Sequence, residues 1–331
     1  MRTRSRTIAG AAVAAALLAG TAGLTQAQGR KYTITTVVKI AGVAWFNRMD
    51  EGVKQFAKDS GQNATEVGPA SADAALQNQM VEDLIAKKVD AITVVPNSPE
   101  SMEPVLRKAL DSRIVVVGHE GSDLRNVTYD VEAFDNAAFG EHLMDVLAKS
   151  MGEEGEYAVF VGHLTAKTHN QWVDAAVARQ KKAYPRMTLV ADKQESLEDQ
   201  QVAYTKTKEL LQAHPNLKGI QGSASTDVAG AALATEDAGL GGKVSVVGTS
   251  LPSIAGPYIQ SGSIAQISFW DPAKAGYVVD KVAAMALDGK PVTDGMDLGV
   301  EGYEKVILKG HVITGQAWVD CNKGNMAKFN F

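Results

Sequence analysis

Polar and aromatic side chains follow the predicted strands of this chain, at the point where each strand ends. Carboxylate, amide, hydroxyl and imidazole groups at these positions stand beside tryptophan and phenylalanine. Aromatic rings cover the C–H faces of a sugar, and polar side chains pair with its hydroxyl groups. The pattern therefore favours binding of a sugar or polyol. The residues in question are Trp45, Phe46, Asn97, His119, Glu120, Thr168, His169, Ser223, Ser225, Trp270 and Asp271.

Two alternatives stay open for these residues. His119 with Glu120, or Asp271, has the chemistry of an acid and base, so an exported carbohydrate-active enzyme is the second hypothesis. Trp45 and Phe46 also suit simple core packing at the start of a helix. A catalytic role predicts turnover of the sugar, whereas a binding role predicts that it is recovered unchanged.

Several other chemistries lack their motifs. The sequence has no G-x-G-x-x-G after a strand and no G-x-x-x-x-G-K-[ST], so dinucleotide and nucleoside triphosphate sites lack their phosphate cradle. The six histidines form no H-E-x-x-H pair. Gly248–Pro252 does not match the nucleophile-elbow motif, because Pro252 stands where the motif requires glycine. We expect no cofactor, no metal and no catalytic serine.

The elements that position these residues alternate along the chain. Short β-branched runs such as Ala91–Val95 and Tyr157–Val161 are followed by longer amphipathic stretches such as Glu100–Asp111 and Asn170–Ala183. This alternation predicts parallel sheets covered by helices on both faces. It restarts at Tyr157, which indicates two similar α/β halves joined near residues 131 and 270. An eight-fold barrel would need even spacing, which is absent. In open parallel sheets ligands bind beyond the carboxyl ends of the strands, so we expect one cleft between the halves.

The first 27 residues have the features of a secretory signal. Three arginines precede the apolar run Ile8–Leu18, and small residues lead to a cleavage site after about Ala27. The only cysteine is Cys321, so neither a lipid anchor next to the signal nor an internal disulfide is expected. Losing those arginines changes the net charge from −5 to −8, which disfavours nucleic acid and anionic membranes as partners. We expect a protein of the periplasm.

Several short motifs together resemble the type I periplasmic binding proteins for simple sugars, in particular the branch of autoinducer-2 receptors of the Lsr transport system and rhamnose receptors. The resemblance covers the whole mature chain. It rests on Lys39–Phe46, Val94–Pro99, the strand ending at His119-Glu120, Thr168–Trp172, Val246–Thr249, Phe269–Asp271 and Lys328–Phe331.

The resemblance implies a role for individual residues. Lys39 matches the ligand-contacting lysine of the family, and Trp45-Phe46 matches its aromatic pair. Ser223 and Ser225 match two small residues after a later strand, and Trp270-Asp271 matches a Trp-Asp on the hinge side. His119 and Thr168-His169 stand where the family has ligand-holding aspartates. The site therefore lacks two charged acceptors for the hydroxyl groups of the ligand. A deoxyhexose such as rhamnose, a pentose, a polyol and autoinducer-2 all remain open as ligands.

The family also implies an architecture and partners. We expect an α/β clamshell of two doubly wound parallel-sheet domains joined by a three-strand hinge, with residues 28–131 plus 272–297 in one domain and 132–271 plus 298–331 in the other. The protein would be a monomer that is not an enzyme. It would capture a small sugar-like molecule and deliver it to an inner-membrane ABC permease. A chemoreceptor is the alternative partner, because both would contact the outer surface of the closed form.

Overall fold

A computed structural model describes residues 30–331, and the predicted signal with its cleavage site lies outside the described residues. The first of two sheets has the spatial order β12-β13-β5-β4-β3-β1-β2. Its strands are β1 (Thr33–Val37), β2 (Asn63–Val67), β3 (Ala91–Val94), β4 (Val115–His119), β5 (Tyr129–Glu132), β12 (Ile307–Lys309) and β13 (Val312–Thr314). All neighbours in this sheet are parallel except β12 and β13.

The second sheet has the order β14-β11-β10-β9-β6-β7, and β8 also pairs with β6. Its strands are β6 (Gly155–Val161), β7 (Met187–Leu189), β8 (Gln194–Glu195), β9 (Leu217–Gly222), β10 (Ser245–Gly248), β11 (Ile264–Phe269) and β14 (Val319–Cys321). Only β14 is antiparallel to its neighbour. The predicted pair of parallel-sheet α/β domains is therefore confirmed.

Helices cover both sheets. They are α1 (Ala44–Ser60), α2 (Ala74–Lys87), α3 (Pro99–Asp111), α4 (Asn136–Met151), α5 (Lys167–Ala183), α6 (Gln200–Ala213), α7 (Asp227–Asp237), α8 (Pro252–Ser261) and α9 (Pro272–Leu287), with a 3₁₀ turn at Met326–Lys328. Their starts are encoded locally. Asp73, Asp135, Asp199 and Asp271 each accept a backbone N–H of the following turn, which satisfies groups that have no partner inside the helix. Proline at the first position of α9 further fixes its start.

The chain crosses between the two lobes three times. It passes from β5 to α4, which packs on the second sheet; from β11 to α9, which packs on the first; and from β13 to β14. The predicted boundaries near 131 and 270 lie at the first two crossings. The assignment of residues 298–331 to the second lobe was wrong for β12 and β13, because Val312–Thr314 pairs with Asp130–Glu132 of the first sheet.

The strong apolar runs predicted strands well, and weaker segments were missed. The strands β2 and β5 are half polar, and β12, β13 and β14 have three residues each, so none has a readable apolar period. Helix α8 was not predicted, because two of its ten residues are proline and it shows no clear apolar period. Among residues 30–331, no helix combines the length and apolar character needed to cross a membrane.

Candidate functional site

A cavity lies between the carboxyl ends of the two sheets. About 370 Å³ of empty space, part of it continuous with solvent, lies between its walls. Eight of the predicted site residues line it. They are Lys39, Trp45, Phe46, Glu120, His169, Ser223, Ser225 and Trp270, and the wall also includes Val43, Trp172, Glu198, Thr226 and Thr249. Asn97, His119, Thr168 and Asp271 do not line it.

Strand register explains why the first-lobe residues meet. Val37 of β1 lies opposite Val94 of β3, so both strands end at the same level of the sheet. The chain then leaves each strand toward the cleft. Asn97 contacts the cavity only indirectly, since its side-chain amide donates a 3.1 Å hydrogen bond to the carbonyl of Lys39. Asn97 therefore positions the backbone of Lys39.

Lys39 and Glu120 form a buried ion pair at the first-lobe wall. The Lys39 Nζ lies 2.6 Å from Glu120 Oε2, and the side chains are only 3% and 6% exposed. Burial lowers the pKa of Lys39, but the carboxylates of Glu120, Glu198 and Glu132 together more than offset this, and the net pKa lies above its ordinary value. Glu120 has a left-handed backbone, with φ of 58°. This conformation follows directly after β4 and lets the side chain meet Lys39.

The two predicted histidines differ in position. His119 donates from Nδ1 to the Val131 carbonyl at 2.6 Å and lies behind the cavity wall. His169 lines the cavity, and its Nδ1 accepts the Gly162 N–H at 3.1 Å. The neutral ring of His169 therefore carries its proton on Nε2. Burial lowers the pKa of both rings, so both are neutral. Thr168 is buried beside His169 without lining the cavity.

Aromatic rings form a continuous wall across the site. Trp45 and Trp270 pack edge to face with ring centroids 4.7 Å apart, and Trp172 lies 5.9 Å from Trp270 in a similar arrangement. Trp45 and Phe46 are in the first turn of α1, whereas Trp270 directly follows β11. Each of these rings is buried and also faces the cavity, so the geometry is compatible with both core packing and ligand contact.

Asp271 faces away from the cavity and joins the two lobes. Its carboxylate accepts two hydrogen bonds from Arg48 of α1, at 2.9 Å and 2.8 Å. It also caps α9 by accepting the Ala273 N–H at 2.9 Å. The Arg48 guanidinium lies 4.3 Å from the centre of the Phe331 ring. This cluster connects α1, the start of α9 and the carboxyl terminus at the hinge.

Hydroxyl groups of the second lobe face the cavity from two neighbouring strand ends. Ser223, Ser225 and Thr226 follow β9, and Thr249 follows β10. The loop after β9 is held by Asp227, whose carboxylate accepts the N–H groups of Ser223 and Ala224 at 2.9 and 2.8 Å. Burial raises the pKa of Asp227 to about 6. Asp227 thus shapes the loop from behind.

Several polar atoms in the cavity wall have no hydrogen-bond partner within residues 30–331. They are Glu198 Oε1, Ser223 Oγ, Thr226 Oγ1, Thr249 Oγ1 and Trp270 Nε1. Buried polar atoms are normally paired, because an unpaired one costs free energy. Five such atoms belong to the wall of this one cavity, where the hydroxyl groups of a ligand would pair with them.

Sequence reasoning missed Glu198 altogether. It follows the two-residue strand β8, which carries no apolar signal. Burial raises the pKa of Glu198 to about 7, partly offset by Lys39. With Lys39 and Glu120 paired and His169 neutral, the cavity carries a charge between zero and minus one. Within the described part of the chain, no group of three or more Asp, Glu, His or Cys side chains is placed to hold a metal ion.

Contacts across the mouth of the cleft bring the lobes together. Lys167 of α5 lies 2.9 Å from the carboxylate of Asp123, which follows β4. The Ser122 hydroxyl is 3.1 Å from Gln171 Oε1, and the Thr165 hydroxyl donates to the Asn97 carbonyl at 3.3 Å. Polar contacts between the lobes therefore cover the cavity on this side.

Comparisons with known proteins agree on one family. A family model described as a periplasmic binding protein domain matches residues 34–291. The D-allose-binding periplasmic protein of Escherichia coli is 29% identical over 249 residues, covering 72% of this chain and 79% of that protein. The D-ribose/D-allose-binding protein of Pseudomonas aeruginosa is 26% identical over 247 residues, covering 71% of this chain and 75% of that protein.

Solved structures show the same fold. LsrB from Clostridium saccharobutylicum in complex with AI-2 superposes with a TM-score of 0.84 at 21% identity, covering 90% of this chain and 100% of that one. A solute-binding protein of an ABC transporter from Clostridium phytofermentans with bound L-rhamnose gives a TM-score of 0.83 at 23% identity, covering 91% and 98%.

Proposed function

The chain belongs to the periplasmic binding protein family, and from this membership we propose that it captures one neutral sugar or sugar-like molecule between its lobes and delivers it to an ABC permease. The carrying observation is the set of unpaired buried polar atoms around the interlobe cavity. These atoms would pair with ligand hydroxyls, and the rings of Trp45, Phe46 and Trp270 would cover the C–H faces.

The ligand class follows from the cavity's charge and from the relatives. D-Ribose and D-allose are ligands of the curated relatives, and L-rhamnose and AI-2 are bound in the structural neighbours. All are small, hydroxylated and without a cationic group. A cavity with a single paired lysine and two carboxylates suits such molecules. Binding at both lobes would stabilise the closed form, because only that form contacts the ligand from both sides.

The contacts of the proposed acid and base groups support binding over catalysis. The carboxylate of Glu120 is paired with Lys39, and that of Asp271 with Arg48. His119 lies behind the wall with its Nδ1 hydrogen bonded to a carbonyl. The two carboxylates are thus committed to structural partners, and the histidine does not line the cavity. We propose that the chain is not an enzyme and acts in the periplasm after cleavage near Ala27.

The test is a ligand panel with the purified mature protein. Thermal melting is measured with D-ribose, D-allose, L-rhamnose, a polyol and an AI-2 preparation, followed by calorimetry on any molecule that raises the melting temperature. Ligand at 100 times its Kd should add about 2.7 kcal/mol of stability. The recovered sugar is examined by NMR. The proposal fails if no molecule stabilises the protein, and an altered sugar would support the enzyme instead.

Delivery to a permease needs a separate experiment. Uptake of the radiolabelled sugar is compared in source cells with and without the chain, and with a chain that carries a ligand-site substitution. Uptake should be lost in both altered strains. A chemoreceptor role would instead leave uptake intact and abolish movement toward the sugar. Size-exclusion chromatography with and without sugar tests the expected monomer.

A further inference from the structure

Glu198 is a buried acid in an unusual place. Its side chain is 9% exposed, and its Oε1 has no hydrogen-bond partner within residues 30–331. The preceding residue, Leu197, is 49% exposed. The chain therefore buries the charged residue and exposes the apolar one, the reverse of what stability favours. This inversion points to a functional role for the Glu198 carboxylate, because stability alone does not explain it.

The backbone holds Glu198 inward at the cost of strain. Leu197 and Glu198 both have φ of 59°, a left-handed conformation that non-glycine residues rarely adopt. The segment is pinned to the end of β6, since the N–H groups of Ser196 and Leu197 donate to the carbonyls of Val161 and Gly162 at 2.9 and 2.8 Å. Two successive strained residues direct this one side chain into the cavity.

Gly162 provides the space that Glu198 needs. A Cβ added at Gly162 would clash with the carboxylate of Glu198. The N–H of the same glycine donates to Nδ1 of His169, which lies 3.9 Å from Glu198 Oε1. Glycine at the end of β6 thus brings the carboxylate and the imidazole to the cavity side by side.

The charges facing Glu198 leave its free oxygen available. Lys39 attracts it, whereas Glu120 and Asp227 repel it; His169, packed against it, is neutral. The ammonium of Lys39 is already hydrogen bonded to Glu120. No other cation among the described residues lines this cavity.

We propose that Glu198 is the specificity-determining acceptor of the second lobe, which takes a hydrogen bond from a hydroxyl of a neutral sugar and excludes anionic sugars. This inference rests on the proposed function. A uronate or sugar phosphate would bring a negative charge to a cavity with two carboxylates and one lysine, and it would be repelled. The hydroxyl-to-carboxylate bond also needs the ionised acid, so a proton competes with the sugar.

The experiment uses calorimetry on the whole mature chain with D-ribose, D-allose, L-rhamnose and D-glucuronate. Wild type should bind a neutral sugar and not D-glucuronate. Glu198→Ala should weaken the neutral sugar about 10- to 100-fold, and Glu198→Gln about 3- to 10-fold, since the amide still accepts a neutral hydrogen bond. Asp192→Asn, an exposed acid six residues earlier, is the matched control and should bind like wild type.

A pH series separates ligand contact from a structural role. Wild-type affinity should fall several-fold from pH 8 to pH 6, and Glu198→Gln should show a flat profile. Melting curves without sugar check folding, and neither variant should lose stability. If wild type binds no neutral sugar, both proposals are overturned. If wild type and Asp192→Asn bind a sugar and the two Glu198 variants bind it equally well at every pH, this inference alone is overturned.

Discussion

The ammonium of Lys39 lies 2.6 Å from the carboxylate of Glu120, and the two buried side chains come from different strand ends of the first lobe. Lys39 follows β1 and Glu120 follows β4. A buried ion pair of this kind seldom adds much stability, because taking two charges out of water is costly. Its value lies in fixing where a charged hydrogen-bond donor and acceptor stand at the cavity wall.

Replacing one partner of this pair should destabilise the protein far more than replacing both. Lys39→Met leaves the Glu120 carboxylate buried without its cation, and we expect a loss of about 3–5 kcal/mol in the free energy of unfolding. The double variant Lys39→Met/Glu120→Gln should recover most of that loss. Urea unfolding of the two single variants and the double variant measures the coupling. Additive losses would contradict the importance of the pair.

The ion pair of Arg48 and Asp271 should serve the hinge and not the ligand. Asp271→Asn keeps the cap of α9, because asparagine caps well, and loses the doubly hydrogen-bonded ion pair. We expect a loss of about 1–3 kcal/mol in the free energy of unfolding with unchanged sugar affinity once folded. Unfolding curves and calorimetry measure the two effects.

Asp111→Asn is the matched control for this variant, since Asp111 forms an exposed ion pair with Arg107 within α3. It should change stability by no more than about 0.5 kcal/mol. A stable Asp271→Asn protein that no longer binds sugar would instead place Asp271 in contact with the ligand, as the sequence predicts.

Buried Asp280 should make the protein less stable as the pH rises. Its carboxylate is fully buried in α9 and accepts the Thr36 hydroxyl at 3.0 Å. Burial raises its pKa to about 7 from an ordinary value of 3.8. The folded state therefore holds a proton that the unfolded state releases, and stability falls between about pH 4 and pH 7 and is level above. The loss is on the order of 4 kcal/mol.

Asp280→Asn cannot titrate and should flatten this dependence. Urea unfolding at pH 5 and pH 8 should show a smaller difference for the variant than for wild type. Glu209→Gln, at an exposed position in α6, is the control and should keep the wild-type difference. An unchanged slope in Asp280→Asn would mean that Asp280 is already ionised in the folded protein.

The sequence predicted the architecture because buried parallel strands are continuous apolar runs, and the strand ends could therefore be located. From the strand ends we predicted that Trp45, His169 and Trp270 lie in the cleft, and all three line the cavity. It also predicted ligand contact for His119, which lies behind the wall with its Nδ1 bonded to Val131. Glu198 could not be predicted as a cavity residue. Its position there depends on the left-handed backbone at Leu197 and Glu198 and on the space at Gly162, and neither produces a periodic pattern in the sequence.

The unpaired hydroxyl of Thr249 gives a test in which stability and affinity should move separately. Thr249 is 2% exposed, and its Oγ1 has no hydrogen-bond partner within residues 30–331. Thr249→Val has nearly the same shape and removes this unpaired group, so stability without ligand should be unchanged or slightly higher. If the hydroxyl pairs with the sugar, affinity should fall about 5- to 10-fold, which corresponds to about 1 kcal/mol.

Thr207→Val is a close control for this variant. Thr207 is also buried with an unpaired Oγ1, but it lies in α6 and does not line the cavity. Both variants should therefore respond alike in urea unfolding, and only Thr249→Val should weaken the sugar in calorimetry. If both variants bind the sugar as tightly as wild type does, the Thr249 hydroxyl does not contact the ligand. A parallel loss in both would show that affinity follows general packing, because the hydroxyl of Thr207 cannot touch a ligand in this cavity.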